Sequence, residues 1–363
     1  MISMAYPTQY LQEPGSLNKA GDLLGKFGKR LFVISGKKAW AAAGSALARS
    51  LEQARLSYTV EWFGGTCTYA EAERLERLVP PDADLIVAVG GGQCMDAAKL
   101  AATRLNQPVA TVPTLCSTCA STTALSVMYD EEHRYVSTEY YDRCPVITIA
   151  DTEVLAKAPY RYMTAGIGDT LAKWYEAEPI NAGKFKHART RLGLSIAKLA
   201  MELLMEFGPQ AVNDCKQGIP SVAVQQVVDA NIYLAGLVGG IGQETCRGSG
   251  AHSFCYGLTV LPGSHHAMHG ELVAFGILCQ LLLEGKDEQE LLPLGKFYRS
   301  VGLPVTLSEL HIEDLSEPRL RECASVVCRP DQQIHFLPFA VDEEAVYEAM
   351  VRADRWGRSL PAA

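Results

Sequence analysis

The stretch Asp84-Leu-Ile-Val-Ala-Val-Gly-Gly-Gly92 decides how the chain folds. Its apolar run is typical of a buried parallel strand, and the three glycines lead directly into a helical pattern over Gln93–Leu105. Glycine permits positive φ and lets backbone N–H groups approach a ligand closely, while a helix N-terminus attracts anions. Gly90, Gly91 and Gly92 are therefore candidate pyrophosphate ligands.

Strands and helices alternate on both sides of this turn. The alternation predicts an α/β, Rossmann-like parallel sheet domain with helices on both faces over residues 1–159. Beyond Pro159 the strand signals stop, and long helical stretches, among them Ser221–Val238, predict an all-α domain over residues 160–363. The predicted strands are Leu31–Ser35, Tyr58–Phe63, Asp84–Val89, Pro108–Val112 and Pro145–Ile149, with a hairpin formed by Leu125–Tyr129 and Arg134–Ser137.

A hydroxyl-rich turn, Pro113-Thr-Leu-Cys-Ser-Thr118, follows the fourth of these strands. Ligands bind at the carboxyl ends of strands in open α/β sheets, so Thr114, Ser117 and Thr118 are candidates for holding a ribose or a nicotinamide. Ordinary turn chemistry is the alternative for these residues, and a tight turn alone is the alternative for the glycines. The fingerprint G-x-G-x-x-G is absent here, which argues against an ordinary Rossmann dehydrogenase.

The end of the first strand bears on the choice of cofactor. An NAD-specific site usually places a carboxylate there for the ribose 2′-hydroxyl, but this chain has Gly36-Lys37-Lys38. Two lysines can neutralise a 2′-phosphate, so we predict NADP(H), with NAD(H) as the alternative. Solvated lysines at a helix start would give the same sequence.

Two histidines and an aspartate in the C-terminal half are candidate metal ligands. Asp169 lies in Gly166-Ile-Gly-Asp-Thr170, and His252 and His269 follow in glycine-punctuated apolar segments. Two imidazoles and one carboxylate suit Zn²⁺ or Fe²⁺ and leave a coordination position for substrate. By spacing alone, two core histidines and a helix-capping aspartate fit better.

Composition excludes several classes of protein. The chain has 363 residues, 48% hydrophobic and 20% charged, with a net charge of −8 and no basic run, which argues against a nucleic-acid partner. The apolar stretch Leu272–Leu283 is interrupted by Gln280 and predicts a buried helix, not a membrane span. Eleven cysteines without a secretory signal predict a cytoplasmic protein with free thiols.

Several motifs in the same order resemble those of the iron-containing alcohol dehydrogenase superfamily, in its glycerol-dehydrogenase-like branch. They are Gly90-Gly-Gly-x-x-x-Asp96-x-x-Lys99, Val112-Pro-Thr-x-x-Ser-Thr118, Leu125-Ser-Val-x-Tyr129, Asp151-Thr-Glu-x-x-x-Lys-Ala-Pro159, Gly166-Ile-Gly-Asp-Thr-Leu-Ala-Lys-Trp-Tyr-Glu176, His252 and His269-Gly-Glu271.

The resemblance implies a dehydroquinate-synthase-like fold, at least a dimer, and one divalent metal, Zn²⁺ or Fe²⁺, on Asp169, His252 and His269. It also implies that Gly90–Gly92 hold the pyrophosphate and that the hydroxyl-rich turn lines the nicotinamide. From the same motifs, the additional residues assigned to cofactor binding are Asp96, Ser126 and Tyr129.

The departures from the family bear on the substrate. Glycerol dehydrogenases resemble Ser-Thr-Asp-Ala where this chain has Cys119, and the branch typically has a second histidine where this chain has Cys255, so the proton donor is unassigned. Lys173 and Arg247 are candidate catalytic residues that, with Cys119, contact the substrate; as cations they suit a substrate carboxylate. Ion pairs with Glu176 or Glu244 are the alternative.

Three segments resemble the hydroxycarboxylate dehydrogenase group of the branch: Gly166–Glu176, Thr118-Cys-Ala120 and Arg329–Pro338. We therefore predict a metal-dependent NAD(P)(H) oxidoreductase that interconverts a small 2-oxo acid and its 2-hydroxy acid by hydride transfer. A glycerol or diol dehydrogenase is the main alternative. A lyase of the dehydroquinate-synthase type and a catalytically silent NADP(H)-binding protein are two others. The expected partner is a small-molecule substrate, with no nucleic acid and no membrane.

Overall fold

The chain divides into two compact units in a computed structural model that describes residues 5–6, 8–184 and 186–361. The first unit comprises Met1–Met163 and Asn213–Gly240, and the second comprises Thr164–Val212 and Ile241–Ala363. The division predicted after residue 159 stays a prediction. The first compact unit differs from it mainly by including the helical segment Asn213–Gly240.

A parallel six-stranded sheet forms the centre of the first unit, with strand order β1-β8-β5-β4-β2-β3, and a separate antiparallel hairpin pairs β6 with β7. Strands β4, β5 and β8 are buried along their whole length, as apolar runs covered on both faces predict. The strands are β1 (Tyr10–Glu13), β2 (Arg30–Ser35), β3 (Ser57–Trp62), β4 (Leu85–Gly90), β5 (Val109–Pro113), β6 (Leu125–Tyr129), β7 (Tyr135–Tyr140) and β8 (Ile147–Asp151).

Helices cover this sheet and make up the second unit. They are α1 (Ala20–Leu24), α2 (Lys37–Gln53), α3 (Tyr69–Leu78), α4 (Gly92–Arg104), α5 (Thr152–Lys157), α6 (Arg161–Asn181), α7 (Ala188–Gln217), α8 (Val222–Val228), α9 (Ala235–Gly242), α10 (Gly250–Leu258), α11 (His269–Leu283), α12 (Glu288–Val301), α13 (Glu317–Val327) and α14 (Glu343–Ser359). Every described strand lies before Thr152, so the predicted parallel sheet followed by a helical region is confirmed.

The predicted elements differ from the structure in a few places. Strand β1 and helices α1, α5, α10 and α13 were not predicted. The helix predicted over Ser221–Val238 is α8 and α9 joined by a π-helical turn, Asp229–Leu234.

By length and composition the stretch Val222–Thr245 would suffice to cross a membrane. A largely buried core helix passes the same test, and 61% of the most apolar window of this stretch is buried.

Candidate functional site

The glycine turn joins β4 to α4 in the first unit. None of Gly90, Gly91 and Gly92 has a positive φ, so this turn does not use the positive φ that glycine permits. Glycine is needed here because there is little room for a side chain. A Cβ on Gly91 would lie 3.0 Å from Leu115 Cδ1, and one on Gly92 would lie 3.1 Å from Thr118 Oγ1. Since no side chain caps α4, its N-terminus keeps the features of an anion site.

Other predicted cofactor residues gather at the same edge of the sheet. Strands β2, β4 and β5 are neighbours, so Gly36 after β2, the glycine turn after β4 and the hydroxyl-rich turn after β5 all lie at carboxyl ends. Thr114 is buried, and its N–H donates to Gly90 O at 2.9 Å. Lys37 and Lys38 are exposed at the start of α2.

The outer part of the hydroxyl-rich turn is less enclosed. Ser117, Thr118 and Cys119 are partly buried there. Tyr129 ends β6, and its backbone N–H donates to Cys67 O at 2.9 Å. The cofactor and substrate roles assigned to these residues stay predictions.

Asp96 and Lys99 form a buried ion pair on α4, with 2.9 Å between Lys99 Nζ and Asp96 Oδ1. The ammonium also donates to three backbone oxygens of segment 120–125. Ser126 Oγ donates to Asp96 O at 2.7 Å, and Val127 N donates to Asp96 Oδ2 at 3.2 Å. Asp96 and Ser126, which were assigned to the cofactor, are thus bonded to protein groups and stabilise the segment around the hydroxyl-rich turn.

One face of α6 carries three charged side chains in the second unit. Asp169, Lys173 and Glu176 stand at helical positions i, i+4 and i+7, which point in the same direction. Asp169 and Glu176 are buried, and the side chain of Lys173 is only 14% exposed. Charges buried on one helix face require partners from other elements.

A close crossing of α6 and α11 brings the first partner. A Cβ on Gly168 would lie 2.2 Å from Gly270 O, and a Cβ on Gly270 would lie 1.8 Å from Ala165 O, so the two backbones touch at these glycines. Asp169 follows Gly168, and His269 precedes Gly270. The glycine contact therefore sets these two side chains beside each other.

The three predicted metal ligands converge. Asp169 Oδ1 lies 3.4 Å from His252 Nε2 and 3.8 Å from His269 Nε2, and one ligand atom from each residue lies within 4.8 Å of the others. A tetrahedral metal with bonds near 2.1 Å holds its ligand atoms roughly 3.4 Å apart. Small side-chain shifts would complete such a set, so Asp169, His252 and His269 fit a divalent metal. Within the described ranges, no other group of His, Cys, Asp and Glu meets the same criterion.

Glu176 supports His252 from the side away from Asp169. Glu176 Oε2 lies 2.6 Å from His252 Nδ1. Burial alone would lower the pKa of His252, but the carboxylates of Glu176 and Asp169 outweigh burial and raise it to about 9. Burial also opposes ionisation of Asp169, yet the Lys173 ammonium and the two imidazoles hold its pKa well below its usual range. The cluster thus keeps its carboxylates ionised, as metal ligands must be.

The second histidine has a different neighbour. Cys255 Sγ lies 3.5 Å from His269 Nδ1, and burial raises the pKa of this thiol well above its usual value. Cys255 is therefore a neutral thiol beside the ligand set. The side chain of His269 is 39% exposed, against 12% for His252, so His269 forms the more open side of the cluster.

The two predicted substrate cations have different neighbours. Lys173 Nζ lies 3.3 Å from Asp169 Oδ1, at the cluster. Arg247 precedes α10. A backbone hydrogen bond and then Arg189 do most to lower the pKa of the Glu244 carboxyl, and the charge of Arg247 lowers it further. The ion pair that the structure gives Glu244 is with Arg189, at 2.5 Å between Arg189 Nη2 and Glu244 Oε1, so the pairing of Arg247 with Glu244 stays a prediction. The substrate role of both cations stays a prediction.

Glu176 is the residue that sequence reasoning missed as part of the cluster. Its position seven residues after Asp169 in a helical segment was a usable signal, since both then share a face. Its contact with His252, however, joins two segments 76 positions apart and has no local pattern.

Three comparisons with known proteins agree with this architecture. A family model described as iron-containing alcohol dehydrogenase matches residues 7–152. A glycerol dehydrogenase of Thermotoga maritima is 36% identical over 97% of both chains, and hydroxycarboxylate dehydrogenase A of Escherichia coli K12 is 33% identical over 96% of both. The crystal structure of a probable glycerol dehydrogenase from Sinorhizobium meliloti has 33% identity and a TM-score of 0.88, covering 99% of this chain and 100% of its own.

Similarity at this level along almost the whole chain establishes both the family and the general activity. The substrate differs between the named relatives, so their names do not decide it. The chain belongs to the iron-containing alcohol dehydrogenase superfamily, in its glycerol-dehydrogenase-like branch, and is an oxidoreductase of that family.

Proposed function

We propose that the protein is a metal-dependent NAD(P)(H) oxidoreductase that interconverts a small 2-oxo acid and its 2-hydroxy acid. The observation that carries this proposal is the position of Lys173, whose ammonium lies 3.3 Å from Asp169 Oδ1 with its side chain only 14% exposed. A largely buried cation beside a candidate metal site suits a substrate that carries a carboxylate next to its carbonyl. Cys119, where glycerol dehydrogenases resemble aspartate, supports the same choice.

We assign the metal to Asp169, His252 and His269. When bound there, Zn²⁺ or Fe²⁺ supplies Lewis acidity that polarises a substrate carbonyl, and these ligand types do not distinguish the two metals. A nicotinamide cofactor supplies the hydride. The chain's own contribution is to orient His252 through Glu176 and to hold a fixed positive charge at Lys173.

The cofactor is assigned to the first unit. The glycine turn and the uncapped start of α4 suit a pyrophosphate, and exposed Lys37 and Lys38 near the end of β2 favour NADP(H) over NAD(H). We further propose a cytoplasmic homo-oligomer, a dimer or larger, whose mass analytical ultracentrifugation would measure.

A glycerol or diol dehydrogenase is the second candidate. It is favoured by the similarity to relatives named glycerol dehydrogenase, at 34% and 36% identity. The two candidates differ in the charge of the substrate, so an acid and an uncharged ketone of similar size separate them.

The test is oxidation of NADPH and NADH, followed by absorbance, with protein that has been treated with EDTA and reloaded with Zn²⁺ or Fe²⁺. The substrate panel is a series of 2-oxo acids, hydroxyacetone and simple aldehydes. We expect turnover on a 2-oxo acid with NADPH. Turnover confined to hydroxyacetone with NADH would reject both the carboxylate and the lysine arguments.

Variants sharpen this test. Arg247→Ala and Lys173→Met should each raise KM for the acid and leave KM for an uncharged ketone almost unchanged, if they bind the carboxylate. Lys198→Met, an exposed lysine on α7, is the matched control and should change neither. Equal losses on both substrates would reject the carboxylate role of the residue tested.

A further inference from the structure

We infer that Glu176 is a positioning residue for the metal centre, because it fixes His252 in the tautomer that presents its Nε2 lone pair towards Asp169. The inference rests on the metal site of the proposed function but not on its substrate. It concerns a buried carboxylate to which the proposed function assigns no contact with substrate or cofactor.

Both oxygens of Glu176 are engaged. Oε2 lies 2.6 Å from His252 Nδ1, and Oε1 accepts the backbone N–H of Ser249 at 2.7 Å and of His252 at 2.8 Å. A carboxylate only accepts hydrogen bonds, so Nδ1 must carry the proton that lies between it and Oε2. In a neutral imidazole the lone pair is then on Nε2, the atom 3.4 Å from Asp169 Oδ1.

The same carboxylate also fixes the backbone of the ligand. Helix α10 begins at Gly250, and Ser249 gives it no side-chain cap, so its first N–H groups need other acceptors. Glu176 accepts two of them, and Gln280 Oε1 on α11 accepts the N–H of Ala251 at 2.8 Å. Both the main chain and the ring of His252 are thus held by one buried group.

Replacement by glutamine separates a capping role from a tautomer role. In Glu176→Gln, the side-chain oxygen can still accept the two backbone N–H groups, and the amide N–H₂ then faces Nδ1 as a donor. Nδ1 must accept, so the proton moves to Nε2, the atom that would bind the metal. Glu176→Asp keeps an acceptor-only group, which cannot donate to Nδ1, but shortens its reach to the ring and to both backbone N–H groups.

The experiment is a Zn²⁺ and Co²⁺ titration of EDTA-treated full-length protein against a competing chelator, with the Co²⁺ absorption spectrum as a second readout. We expect Glu176→Gln to weaken metal binding by about 10–100-fold, the usual effect of losing a group that orients a metal ligand. Glu176→Asp should bind metal more tightly than Glu176→Gln, even where its melting temperature is lower. A purely capping role predicts the reverse order.

The matched control is Asp354→Asn, another buried carboxylate of the second unit that accepts a backbone N–H, from Leu307 at 2.8 Å. It should lower the melting temperature and leave metal affinity unchanged. Wild-type affinity in Glu176→Gln, or equal metal losses in Glu176→Gln and Asp354→Asn, would overturn the inference. So would a wild-type protein that binds neither metal. Wild-type protein that binds Zn²⁺ but reduces no 2-oxo acid would instead reject only the proposed substrate.

Discussion

The molecule contains two largely buried Asp–Lys ion pairs, each joining residues one helical turn apart, and the groups around the two pairs differ. In the first unit, Lys99 Nζ is 2.9 Å from Asp96 Oδ1, and in the second, Lys173 Nζ is 3.3 Å from Asp169 Oδ1. The Lys99 ammonium has further oxygen acceptors in segment 120–125, so its donors are satisfied by protein groups. Asp169 Oδ1 instead has an ammonium and two imidazole nitrogens within 3.8 Å.

The difference distinguishes a structural pair from a site. A buried ion pair whose cation also donates hydrogen bonds to backbone oxygens holds a loop in place. A carboxylate oxygen crowded by an ammonium and two imidazole nitrogens suits a metal ion, which would take the place of one of these contacts. On this basis we assign the Asp96 pair to the support of the fold and propose that the Asp169 pair belongs to the metal site.

The largest expected effect comes from Asp169→Asn. The amide keeps the shape but loses the charge that a divalent metal requires, so we expect loss of bound metal and a fall in kcat/KM of at least about 10³-fold. Metal content by mass spectrometry and steady-state rates measure both. Circular dichroism should show an intact fold, and stoichiometric metal in this variant would refute the ligand assignment.

Lys99→Met should affect stability most. It leaves the Asp96 carboxylate buried without a counter-charge and three backbone oxygens without their donor, and breaking such a pair costs about 3–5 kcal/mol in the free energy of unfolding. Urea denaturation measures the change. Folded protein should keep its metal affinity; a loss of metal with unchanged stability would reverse the distinction between the pairs.

Local patterns made the sheet predictable. Strand β4 is a continuous apolar run, as burial on both faces requires. Strand β1 escaped prediction because Tyr10-Leu-Gln-Glu13 has no such run and depends on non-local partners, pairing with β8 and stacking Tyr10 on Tyr233 at 4.6 Å. Its formation is decided by tertiary contacts rather than by its own residues.

The grouping of the candidate ligands was predictable from the sequence, but the contacts that support them were not. The donor chemistry of Asp169, His252 and His269 and the family motifs singled out three residues that the structure brings together, and their role as ligands stays a prediction. Helix α10, which carries His252, begins at a glycine. Its first N–H groups are accepted by side chains of α6 and α11, so no local sequence signal predicts where it starts. The contact between Glu176 and His252 follows only once those helices are packed.

Lys173→Met tests the second pair from the side of the cation. Removing a positive charge 3.3 Å from Asp169 Oδ1 relieves roughly 1–2 kcal/mol of repulsion towards a divalent cation, so Zn²⁺ affinity should rise about 10-fold. The free energy of unfolding should change much less than in Lys99→Met, because the imidazoles remain beside Asp169. Weaker metal binding would mean that Lys173 orients Asp169 rather than competing for it.

The smallest effect is expected where the same kind of pair is exposed. Lys198 and Glu202 on α7 are 3.7 Å apart with more than half of each side chain in solvent, so water already screens both charges. Lys198→Met should change the free energy of unfolding by no more than about 0.5 kcal/mol, measured by urea denaturation. Metal affinity and rates should match the wild type. A loss comparable to that of Lys99→Met would show that burial is not what separates these pairs, and the structural role assigned to the Asp96 pair would lose its physical basis.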